Sequence, residues 1–70
     1  MSADEFGLEA LAAQLSLARA RHRELDEEIT RLESYPYQDQ LLLRRLKKEK
    51  LQLKDQIQRL RAALIPDLDA

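Results

Sequence analysis

Apolar or small residues recur at Leu8, Leu11, Leu15, Ala18, His22, Leu25, Ile29 and Leu32, with spacings that alternate between three and four; His22 is the one polar member. This is the a/d repeat of a helix that lays one narrow stripe against a partner helix. The second half repeats it at Leu43, Leu46, Lys50, Leu53, Ile57, Leu60 and Leu64, with Lys50 as the exception. Two amphipathic helices with single stripes are therefore expected.

Between them, Ser34-Tyr35-Pro36-Tyr37 is the break in an otherwise continuous helical pattern. Proline lacks an N–H and disfavours α geometry in the residue before it, yet is tolerated in a first helical turn. The spacing predicts one helix over about 5–34, a turn over about 34–37 and a second helix over about 37–65, all in a single domain. Asp39 then sits near the positive end of the second helix, and Pro66 ends it.

So short a connection makes the helices antiparallel. If Leu32 faces Leu43, counting gives Ile29 with Leu46, Leu25 with Lys50, His22 with Leu53, Ala18 with Ile57, Leu15 with Leu60 and Leu11 with Leu64. Every stripe residue from 11 to 32 finds a stripe partner. The flanks agree in part: Asp26 and Glu33 share a side with Lys47 and Lys54, whereas Arg19 and Arg61 on that side are like charges. Such exposed pairs contribute only about 0–1 kcal/mol each and serve to fix orientation.

Apolar residues also spread sideways near the open end, at Phe6, Leu8, Ala12, Ala13 and Leu17, and at Ala63, Ile65 and Leu68. A two-stranded seam does not use them all, and wider apolar faces belong to bundles. The fold class expected is all-α, a two-helix antiparallel coiled-coil hairpin that pairs into a four-helix assembly. Phe6, Leu8, Leu11, Leu15, Leu60 and Leu64 are the candidate self-association residues of a homo-oligomer, with a dimer expected. Composition points the same way. With 70 residues and no Cys, neither disulfides nor a thiolate metal site supplements a small core, and self-association is the usual alternative.

The search for chemistry returns little. The hydroxyl residues on the helix of His22, Ser16 and Thr30, are not three or four positions from it, and the one glycine, Gly7, makes no phosphate loop. No catalytic residue, metal ligand set or cofactor is assigned. His22 and Lys50 occupy seam positions, with Asp26 one turn after His22; this pattern sets register and oligomer state more readily than it makes a proton or anion site. The stretch from Arg44 to Lys54 holds six bases and one acid, which makes Arg44, Lys47 and Lys48 candidate nucleic-acid contacts. It contains no aromatic residue for base stacking, so a solvated face is the preferred reading. The acidic first residues and the lack of a long apolar run predict neither a signal peptide nor a membrane-crossing helix, and membrane binding is not expected. A cytoplasmic location is the expectation.

Residues 22–29, His-Arg-Glu-Leu-Asp-Glu-Glu-Ile, and 46–57, Leu-Lys-Lys-Glu-Lys-Leu-Gln-Leu-Lys-Asp-Gln-Ile, resemble the two signature stretches of the YdcH-like family of small bacterial proteins. The resemblance covers about 22–60 and singles out His22, Asp26, Lys50 and Asp55. It implies a cytosolic helical hairpin of uncharacterised biochemical role and carries no catalytic residues. Residues 1–21 are Ala-rich and depart from the family's more aromatic lead-in. The functional expectation is a non-enzymatic interaction or scaffold protein with an unknown protein partner; the alternative is a nucleic-acid accessory protein using the basic second helix.

Overall fold

The structure is a computed structural model that describes residues 3–64, with side chains from Gly7 onward. Two helices, α1 (Ala3–Glu33) and α2 (Gln40–Leu64), pack against each other as an all-α helical hairpin. The molecule measures 55 × 27 × 15 Å, so it is a rod two helices wide. No interior of that thickness can enclose a cavity.

Burial follows the two stripes. Ala18, Leu25, Ile29, Leu43, Leu46 and Leu60 are buried, and the other stripe members from Leu11 onward are half-buried. Off the stripes, only Glu28, Leu42 and Glu49 among the described residues are even half-buried. Leu25, Ile29, Leu43 and Leu46 form the core cluster, with Leu32, Leu42 and Leu53 packed on it. The core thus lies toward the turn, where Leu25 is fully buried, and the stripe loosens toward the chain ends, where Leu8 is 51% exposed. Apolar area removed from water contributes about 25 cal/mol per Å², so the closed half holds most of the hydrophobic stabilisation.

The turn is sealed by side chains. The Ser34 hydroxyl donates to the Arg31 carbonyl at 2.6 Å, and the Gln38 amide donates to the Glu33 carbonyl at 2.9 Å. The Ser34 and Tyr35 N–H groups reach the Arg31 and Leu32 carbonyls at 3.2 and 3.4 Å, which tightens the last turn of α1. Among the described residues none has positive φ, so α1 ends without the left-handed cap that usually needs glycine.

Helix α2 begins at Gln40, three residues later than the proline alone predicts. Asp39 is the reason. Its carboxylate accepts the Leu42 N–H at 3.1 Å while its carbonyl accepts the Leu43 N–H at 2.9 Å, which makes it the N-cap and leaves Tyr37 and Gln38 in the turn. The expected stop at Pro66 lies outside the described residues, as do the side chain of Phe6 and residues Ile65 and Leu68.

Candidate interaction surface

Heptad counting labels each rim of the seam, and the rims differ in chemistry. On one side Lys47 bonds Glu33 at 2.8 Å and Lys50 bonds Asp26 at 2.5 Å. The register sets Lys50 opposite Leu25, which makes Asp26 the nearest acid to its ammonium, and the structure forms that pair. A lysine at a seam position lays its methylenes between the helices and sends its ammonium to the nearest rim. The ammonium holds the Asp26 carboxyl below its ordinary value of 3.8, first through the hydrogen bond and then through its charge, with a smaller contribution from His22. These residues, with Thr30, Leu51 and Lys54, line an open groove of about 410 Å³.

The opposite rim carries a pair that the sequence reading passed over. Arg21 reaches across to Glu49 with Nε at 3.0 Å and a terminal nitrogen at 2.9 Å, and along its own helix to Glu24 at 3.4 Å. Glu49 is the main cause of the raised Arg21 pKa. Counting the g positions of both helices, as was done for the e positions, finds this pair. Arg19 and Arg61, the like charges on the first rim, join no ion pair among the described residues.

Of the signature group, the structure brings together His22, Asp26 and Lys50, and not Asp55. Asp55 is exposed and bonds Arg59 of its own helix at 3.1 Å, so it plays no part in the polar seam. Heptad counting puts it at the f position of α2, on the face away from the seam residues Leu53 and Ile57.

The candidate self-association residues also divide. Leu60 is buried within the single hairpin. Leu11, Leu15 and Leu64 are half-buried, and Leu8 is exposed together with Leu17. The candidate nucleic-acid contacts split in the same way: Arg44 and Lys48 are exposed and join no ion pair among the described residues, whereas Lys47 is held by Glu33.

The tip went unread in the sequence. Tyr37 is 94% exposed, Tyr35 is 54% exposed, and Leu41, in the first turn of α2, is exposed as well. Exposure there depends on where the turn ends, which rests on the Asp39 cap rather than on Pro36.

Among the described residues no ionisable side chain is buried, no cluster of His, Cys, Asp and Glu is arranged to hold a metal ion, and no helix is long and apolar enough to cross a membrane. No curated protein and no solved structure matched the chain. The family model described as "Protein of unknown function (DUF465)" matches residues 16–61, which span both signature stretches, the turn and the core cluster. The chain therefore belongs to this family of small YdcH-like proteins of unknown function.

Proposed function

We propose that this hairpin is a non-enzymatic interaction protein that pairs with a second copy of itself through the open half of its seam. One observation carries the reading. The stripe of α1 continues past His22 from its buried part at Leu25 to Leu8, which is half exposed, and Leu11 and Leu15 on it, with Leu64 of α2, are incompletely covered. A second hairpin supplies the missing apolar surface, in the manner of a four-helix bundle. Small chains commonly complete their burial in this way.

Sedimentation equilibrium tests it. A dimer is expected at micromolar concentration, with Leu8→Asp dissociating it while leaving the closed half folded. A folded wild-type monomer at those concentrations overturns the proposal.

A further inference from the structure

The exposed tyrosines of the turn directly precede, along the chain, the free cations in the first turns of α2. Leu41, Arg44, Arg45 and Lys48 have i, i+3, i+4, i+7 spacing and so form a single exposed face over the first two turns of α2. None of the three cations joins an ion pair among the described residues. Tyr35 and Tyr37 stand immediately before that face, on a turn fixed by the Ser34, Gln38 and Asp39 hydrogen bonds. We infer that the closed end is a docking site for a single-stranded nucleic acid, whose bases stack on Tyr35 and Tyr37 and whose phosphates follow Arg44, Arg45 and Lys48.

The aromatic platforms that the basic stretch itself lacks are provided by the fold. Stacking on aromatic side chains next to a basic track is the usual mode of sequence-tolerant single-strand binding. Charge supports the polarity. Residues 7–64 carry twelve basic and nine acidic side chains, and the other four acids of the sequence, Asp4, Glu5, Asp67 and Asp69, fall in its terminal stretches. The shape of the track selects the polyanion. From Arg44 to Lys48 the cations climb one side of α2 by about 6 Å, so a lipid surface that met the tyrosines would leave them behind. A strand laid along α2 meets rings and cations in turn.

The chain has two tyrosines and no tryptophan, so its intrinsic emission reports the tip alone. Titrating the protein with a 12-nucleotide oligothymidylate at low salt should quench that emission, with half-saturation near about 100 µM or tighter. With a labelled oligonucleotide, Tyr35→Leu with Tyr37→Leu should weaken binding about fivefold or more for each ring. Arg44→Gln, Arg45→Gln and Lys48→Gln together should flatten the dependence of log K on log salt by about 0.7 per cation. Arg23→Gln, on the outer side of α1, should change neither. All these positions are exposed, and circular dichroism confirms that each variant is folded. No quenching at low salt overturns the inference, as does binding that the tyrosine pair leaves unchanged. Binding to phosphatidylglycerol vesicles without binding to the oligonucleotide, or equal binding to polyglutamate, overturns it in favour of a lipid or a general polyanion site.

Discussion

The closed half of the hairpin and its open half use the same heptad stripe to different ends. Near the turn, Leu25, Ile29, Leu43 and Leu46 are buried, Leu42 widens the packing, and two ion pairs on one rim and one on the other cross between the helices. Toward the chain ends, Leu11, Leu15 and Leu64 keep part of their surface in water and Leu8 half of it. One stripe thus encloses a contiguous core near the turn, whereas in the open half burial is confined to Ala18 and Leu60. The proposed pairing with a second copy places the additional helices against this less covered half.

The largest effect should separate the halves outright. Leu25→Ala removes a fully buried side chain and should destabilise by about 2–5 kcal/mol, enough to unfold much of so small a domain. Leu11→Ala, at the loose end, should cost well under half as much in the monomer. Urea denaturation checks both, and equal losses would erase the distinction. Next in size, Asp39→Ala removes the α2 cap and should cost about 1 kcal/mol. A shift in the urea midpoint of that order is expected, together with loss of protection of the Leu42 amide in hydrogen exchange.

How much of this was readable beforehand follows from what each feature depends on. The stripes depend only on residue type and period, and every member from Leu11 to Leu64 is buried or half-buried as counted. The tip depends on competition between two local signals. Pro36 permits a helix start, but the Asp39 carboxylate satisfies the Leu42 N–H, and this capping sets the boundary and exposes Tyr35 and Tyr37. The rim pairs depend on side-chain reach as well as register: Lys50 meets Asp26 as the layer count places it, whereas Arg21 finds Glu49 on the rim that was left uncounted. Asp55 belongs to the sequence signature but faces outward; its partner Arg59 is local.

Two smaller effects sharpen the role of the polar layer between the halves. Lys50→Leu should raise the melting temperature, by about 1 kcal/mol in stability, because an apolar residue in a half-buried seam position replaces a charge that is partly desolvated. The same change makes the stripe of α2 uniformly apolar and should broaden the oligomer distribution in sedimentation velocity. A lower melting temperature with a single species would mean that Lys50 stabilises the fold directly. The smallest effect is the pH dependence of the pair itself. Folded Asp26 holds its charge to lower pH than the unfolded chain, so its contribution is complete above its ordinary value of 3.8 and is lost as pH falls through the depressed folded value. Thermal melts from about pH 5 downward should therefore show wild type losing stability relative to Asp26→Asn. Parallel curves would remove the pair from the account.

The contrast between the ends can be tested with two leucines. The chain has no cysteine, so Leu8→Cys at the open end and Leu41→Cys at the tip each introduce a single thiol, and the tip residue is the more exposed, at 74% against 51%. Under a short thiol-to-thiol crosslinker at micromolar protein, random collision would favour the tip. Pairing through the open seam predicts the reverse, with rapid covalent dimer from Leu8→Cys and little from Leu41→Cys. Equal or faster crosslinking at Leu41→Cys would contradict it.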